Sequence, residues 1–552
     1  MNIPLHTNAV SRRRLLGYLG LGAGTLGLAA CGGSGGAGGT AAGSGGVLTG
    51  AELAAEVEAS VPNSSLEFLV EPDFPSVNGS TPGYVTMPDP LVDGVSEVPG
   101  SGGSYTVMSP AWWTSPPGLG DNAYYEAVNE ELGATLEFQV ADGNSYADKV
   151  QTVLASPKNV PDWMVIPSWN IPPRFVEGVG NVFQDLTDHL AGEGILDYPN
   201  LARLDPAAWE YSMFNGRIYG LPYPSELVTD AVFYRRDLFE ELGVEPPTDA
   251  ESFLEVLSEI TDPGANRWGC ENLWNTAQLM YALPPTFAER DGELVHRFEM
   301  EEFKEAIIWL TKVIESGAMH PDAVAGNDGA AKDRFESGQT LVMNDGVGGW
   351  HEALARVRPS NPDFDQMAMD LFAPDGGAPT LYRGAPVNIF SFLKKTDDED
   401  QVREMLRIAD WCASQFGTKE FDLLTYGIEG THFERDEHGI PQLNDQGRSE
   451  VTSTYQFLAQ PAIVNAKVQF PDYVEASSEW MARQSEHVVD PLFYGIQIQE
   501  PAEFGSLGQP LDDLVVDISR GRKDISELDA AVENWRTSGG DKLREFYGEF
   551  MA

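Results

Sequence analysis

Apolar and polar positions alternate in two rhythms from about residue 105 onward. Residues 105–109 form an apolar run of strand length. Asp121 opens a helical pattern that continues through Leu132 and stops at Gly133, a residue suited to the left-handed turn of a helix end. Residues 135–140 alternate with the period of a strand. Ser145 and Asp148 have capping-box spacing for a helix through Ala155, and residues 163–166 form a third apolar strand. Strands alternating with helices predict a mostly parallel sheet in an α/β unit.

A second unit begins after Pro222. The pattern predicts a strand over 231–235, a helix to Leu242, and a helix through Ile260 opened by Thr248 and Glu251. Residues 303–316 are amphipathic and end at Gly317; 340–344 form a strand, with a helix from Gly349. Residues 386–393 form a further strand and 404–414 a helix. A hairpin is expected around 436–439, and the chain from Val474 is mostly helical. No internal repeat is evident.

At 552 residues the chain exceeds one simple core, so two or more lobes are expected. A hydrophobic content of 42% supplies a large interior. Against 85 acidic residues stand 35 basic ones, a net charge of −50, which argues against nucleic acid and anionic lipid as partners. Cys270 and Cys412 are compatible either with a disulfide or with buried free thiols, and no Cys/His spacing suggests zinc.

The N-terminus carries addresses rather than fold. Ser11-Arg12-Arg13-Arg14-Leu15-Leu16 resembles a twin-arginine export signal. The apolar stretch after it is too short and Gly-rich for a comfortable membrane span, and it closes on Leu28-Ala29-Ala30-Cys31. That ending resembles a bacterial lipobox, with Cys31 as the acylated first residue of the mature chain. Residues 1–30 thus read as a lipoprotein signal peptide, 31–50 as a Gly-rich tether, and 51–104 as a Pro/Gly-rich extension that either wraps the surface or stays partly mobile. The expected location is the extracytoplasmic face of the cell membrane, reached through the lipid anchor.

Several segments together resemble the extracellular solute-binding proteins, the lipid-anchored receptors of ABC importers, in the branch that handles sugars and oligosaccharides. They are Asn215-Gly216-Arg217-Ile218-Tyr219-Gly220-Leu221-Pro222, Tyr234-Arg235-Arg236-Asp237-Leu238-Phe239 with the following Glu240-Glu241-Leu242-Gly243, Ser337-Gly338-Gln339-Thr340-Leu341-Val342-Met343, and Tyr426-Gly427-Ile428-Glu429-Gly430-Thr431-His432-Phe433. The resemblance implies an α/β, two-lobed periplasmic-binding-protein-like fold of type II with the ligand cleft between the lobes. It implies lobe 1 from 105–222 and 386–415, and lobe 2 from 223–385 and 416–552. It implies a carbohydrate ligand, permease subunits as partners, a monomeric receptor, no cofactor and no catalysis. Some relatives carry a calcium loop where this chain has residues 262–269, but Ala265, Arg267 and Trp268 occupy much of that span, so no metal is carried over.

A sugar presents flat C–H faces and a rim of hydroxyls, so a site needs aromatic rings beside polar groups at strand ends. Trp112 and Trp113 follow the first strand, and Trp169 follows the third; each is a cleft candidate, with lobe packing as the alternative. Tyr223 lies at the expected crossover. Asn344, Asp345 and Trp350 end a strand of the second lobe, where the family often supplies an aromatic platform, so Trp350 is the leading single candidate. Arg383 precedes the return strand and offers a planar fork of donors. Glu429 lies in the family-like motif, and hydrogen bonding within the fold is the reading favoured for His432. No nucleophile elbow, P-loop or HExxH motif is present, and carboxylate pairs carry no information in so acidic a chain. The alternatives are a secreted glycoside-active enzyme, a receptor for a peptide or other polar solute, and an adhesive surface protein.

Overall fold

A computed structural model describes residues 47–551. The signal peptide, Cys31 and most of the tether lie outside the described residues.

The strands that carry the site are, in chain order, β1 (Ser104–Ala111), β2 (Thr135–Asp142), β3 (Trp163–Pro167), β4 (Gly220–Pro224), β5 (Asp230–Tyr234), β6 (Trp268–Cys270), β7 (Thr340–Gly346), β8 (Met367–Ala368) and β9 (Val387–Leu393). They form a five-stranded sheet ordered β2-β1-β3-β9-β4 and a four-stranded sheet ordered β8-β5-β7-β6. β1, β2 and β3 run parallel, whereas β9 inserts antiparallel between β3 and β4. A sheet covered on both faces needs apolar side chains on both. Tyr105, Val107, Trp163 and Val165 accordingly enter one core, while Met108, Met164 and Ile166 enter the core on the opposite face. The second sheet has the same arrangement, with Val232 and Val342 on one side and Phe233 and Met343 on the other.

The α/β, two-lobed expectation is met, with local differences. Asn122 rather than Asp121 caps the helix Ala123–Leu132, accepting from Tyr125 N. The capping box of the helix Ala250–Glu259 is Asp249 with Ser252, one residue beyond the expected pair. Cys412 lies in the first lobe's core and Cys270 in the second's, and both are free thiols.

The chain leaves the first lobe between β4 and β5, returns into β9, and departs again only after Ala459. The expected partition assigned everything after residue 415 to the second lobe. Instead Leu424, Tyr455, Phe457 and Leu458 pack into the first core. The cause is an aromatic knot. Tyr455 packs edge-on against Tyr124, Tyr125 and Phe138, and its hydroxyl donates to Asn129 Oδ1 at 2.9 Å. Edge-to-face rings with a bonded hydroxyl hold the segment more firmly than its polar composition suggests.

The extension is also more structured than its composition indicates. Gly50–Ser60 is a helix whose Leu53 and Val57 enter the first core. Residues beyond it run across both lobes. Leu69 N donates to Gln415 Oε1 at 2.7 Å, and Gly94 N to Glu420 Oε2 at 2.7 Å, both on the first lobe. Tyr84 N and Asn465 N bond to Asn465 O and Pro82 O on the third crossover, at 2.9 and 2.8 Å. Phe74 and Val85 pack against the second lobe's core around Trp350, and Asn78 reaches Ser485. Among the described residues no helix is long and apolar enough to cross a membrane.

Candidate functional site

The C-terminal ends of β1, β3 and β4 and the start of β9 share one edge of the first sheet. The start of β5 and the end of β7 form the corresponding edge of the second sheet, where Gly346 pairs with Asp230. The crossovers join these two edges, so loops leaving them bound the gap between the lobes.

Four of the expected residues gather on the first edge. Trp112 and Trp169 stand 6.0 Å apart between ring centroids and remain 41% and 60% exposed. Exposure of two large rings side by side is costly in water and characteristic of a binding surface. Trp112 is supported from below by Gly143. A Cβ there would come within 3 Å of the indole, so glycine lets the ring lie on the backbone. Phe457 joins the group, with its centroid 6.2 Å from Trp112, 5.8 Å from Trp113 and 5.7 Å from Tyr223. Trp113 is half-buried, and its Nε1 has no acceptor among the described residues.

Facing this wall is a charged group that sequence reading missed. Lys467 on the third crossover is acted on by Glu226 on the first crossover and Glu352 on the helix Gly348–Val357, and both carboxylates act on Tyr223. Burial raises the Glu226 carboxyl to about 7, with Lys467 pulling the other way. Burial lowers the Lys467 ammonium, with Glu352 and Glu226 opposing. Asp230 is also raised, by burial first and then by the charge of Asp345. Glu226 stands three residues after Tyr223, so a wider search around the crossover would have reached it. Phe457 carried no signal, because its segment had been assigned to the other lobe.

Three expectations are corrected. Trp350 is only 1% exposed, and its Nε1 donates to Gln366 O at 2.9 Å. Phe233, Tyr473 and Trp480 surround it, so it packs the second core and offers no platform. Apolar spacing on its helix, with Ala353 and Leu354 also buried, turns that face inward. Glu429 pairs with Arg435 at 3.2 Å on the hairpin Phe433–Leu443 and belongs to that turn rather than to the aromatic edge. Asn344 donates to Ala231 O at 3.2 Å, within the sheet.

Asp345 reaches the second edge, where Lys332 lies 3.0 Å away. Arg383 lies at the return crossover, 3.4 Å from Asp490 and over the Tyr494 ring at 5.0 Å. His432 is fully buried, accepting from Ile428 N at 2.9 Å and bonding Glu450 at 3.2 Å, so its role is internal. In the stretch 262–269 the Asp262 carboxylate accepts from Gly264 N and Ala265 N at 3.0 and 3.3 Å, capping a short turn. No metal-holding group of three or more His, Cys, Asp or Glu occurs among the described residues.

Two α/β lobes, three crossovers and an aromatic edge beside charged groups define a two-lobed binding-protein architecture. Residues 115–414 match the bacterial extracellular solute-binding protein family, and the chain belongs to that family. Among curated relatives, Lipoprotein LipO of Bacillus subtilis (strain 168) is 24% identical over 80% of this chain and 91% of its own length. The polygalacturonan/rhamnogalacturonan-binding protein YtcQ of the same organism is 22% identical over 65% of this chain and 75% of its own. Among solved structures, an HMO-binding ABC-transporter-associated solute-binding protein from Bifidobacterium longum infantis is similar in fold. Its TM-score is 0.59 at 14% identity, over 82% of this chain and 98% of that one.

Proposed function

We propose that this protein captures a sugar or oligosaccharide outside the cytoplasmic membrane and delivers it to the permease of an ABC importer. The observation that carries this reading is the wall of Trp112, Trp169, Trp113 and Tyr223 around Phe457. Ring faces cover sugar C–H groups, and the carboxylates of Glu226 and Glu352 beside Tyr223 suit hydroxyls. Closing the lobes around the ligand gives the permease a state to recognise. The family assignment and the ligands named for the polygalacturonan/rhamnogalacturonan-binding and HMO-binding relatives support a carbohydrate. We assign the protein no catalytic role and treat it as a monomer.

The test is a thermal-shift screen of the purified protein against a glycan panel, since a ligand at 100 times its Kd adds about 2.7 kcal/mol of stability. Stabilisation by one glycan class without its turnover is the expected result. Turnover would identify an enzyme instead, and stabilisation by peptides alone would identify a peptide receptor. Anchoring is tested separately: Cys31→Ala should move the protein out of the detergent phase, and an unlipidated native N-terminus away from Cys31 would refute it.

A further inference from the structure

Arg297 is a half-buried cation that donates to no carboxylate among the described residues. Acidic residues outnumber basic ones 85 to 35, and the two fully buried arginines among the described residues, Arg235 and Arg334, are met by carboxylates. Arg235 pairs with Asp237 at 2.6 Å, and Arg334 with Glu271 at 2.6 Å. The half-buried Arg297 instead donates to a neutral acceptor, Gln278 Oε1, and its Nε is buried with no acceptor among the described residues. Burial lowers its pKa, and Asp512, which forms no hydrogen bond to it, only partly opposes that. Leaving a cation under-compensated in the interior is costly. A chain with so many carboxylates could have placed one here.

The surroundings indicate what completes the site. Arg297 lines a groove with Thr229, Asp230, Gln278, Tyr382 and Arg383. Thr229 and Asp230 lie at the start of β5 and Arg383 at the return crossover, so the groove opens at the junction of the lobes. A guanidinium is a planar fork of donors that matches a carboxylate in two parallel bonds. Asp230 accepts from Thr229 Oγ1 at 3.0 Å and suits a sugar hydroxyl. Its charge repels an acid, so an acidic group would lie on the Arg297 side.

We propose that Arg297, with Gln278 and Arg383, forms a carboxylate-binding subsite in the second lobe, so that the glycan taken by the cleft contains uronic acid. This rests on the carbohydrate reading above. The experiment is calorimetric titration of the full chain with trigalacturonate and with a glucuronate-bearing xylo-oligosaccharide, each beside its methyl ester. For at least one pair, wild type should bind the free acid at least about tenfold more tightly, the worth of one charge-assisted bond. Arg297→Gln should remove that preference, leave methyl-ester binding unchanged, and leave Tm equal or higher because an uncompensated cation is gone. Arg297→Lys keeps charge without the fork and should retain only part of the preference; it carries the test if the Gln variant does not fold. Equal binding of acid and ester by wild type, or an undiminished preference in Arg297→Gln, overturns the subsite. If only uncharged glycans bind, this inference falls while the carbohydrate reading stands; if no glycan binds, both fall.

Discussion

Replacing Trp350 by alanine separates a packing tryptophan from a binding one. The side chain is fully enclosed, with ring centroids of Tyr473, Phe233 and Trp480 at 5.5, 5.8 and 6.3 Å. Truncating a buried Trp costs about 3–5 kcal/mol through lost transfer energy and the cavity left behind. Gln366 O also loses its indole donor, at a cost of about 1–3 kcal/mol where water cannot replace it. A conservative total of about 4 kcal/mol, at roughly 2–4 °C per kcal/mol for a unit of 150–250 residues, lowers the second lobe's transition by about 10 °C. Differential scanning calorimetry of the variant measures this, and titration with the glycan found by screening measures affinity on the same sample. Trp350→Phe keeps much of the volume and should lie between wild type and alanine. The reasoning is refuted if Trp350→Ala melts within about 2 °C of wild type while its ligand affinity falls by about tenfold or more.

The exposed pair should behave in the opposite way: Trp112→Ala or Trp169→Ala should weaken binding by about thirtyfold with little change in Tm, and titration beside calorimetry checks both. Gly143→Ala should weaken binding in the same direction without removing any aromatic ring, because the new methyl displaces Trp112; quenching of tryptophan fluorescence by acrylamide should report the moved indole. Glu226 should give a pH signature. The unfolded chain loses this proton near the ordinary value of 4.5 and the folded protein keeps it to about 7, so stability falls as pH rises between them. Glu226→Gln should flatten that part of the Tm–pH curve, and an unchanged slope would remove Glu226 as its source.

The two lobes were legible because their strands are short apolar runs separated by capped helices, a pattern fixed by local physics. The exposure of Trp112 and Trp169 was legible for a related reason: large rings on Pro/Gly-rich loops after strands have no local core to enter. Trp350 was misread because its place after a strand end outweighed the 350, 353, 354 spacing, which turns this helix face inward toward Tyr473 and Trp480. The segment carrying Phe457 was misassigned because only the contact of Tyr455 with Tyr124 and Phe138 fixes its lobe. Arg297 and Lys467 were invisible because lacking a carboxylate, as Arg297 does, and meeting Glu226 and Glu352, as Lys467 does, are both properties of place. Periodicity records which residues turn inward, but not which inward charge lacks its opposite.

The N-terminal extension has a mechanical consequence. It is fastened to the first lobe at Gln415 and Glu420, to the third crossover at Asn465, and to the second lobe's core through Phe74 and Val85. A strip clamped on both sides of a pivot converts a change of angle into strain in its own fastenings. Rotating one lobe against the other must either slide Phe74 and Val85 over the helix Pro471–Ser485 or break the main-chain bonds at Asn465. The resting gape of the receptor therefore depends on how well this strip, whose Ser76 and Gly79 to Pro82 also line a groove with Glu226 and Arg383, adheres to both lobes. Because affinity scales with the fraction of molecules able to close, substitutions at the fastenings of that strip would retune capture without altering an aromatic ring of the wall.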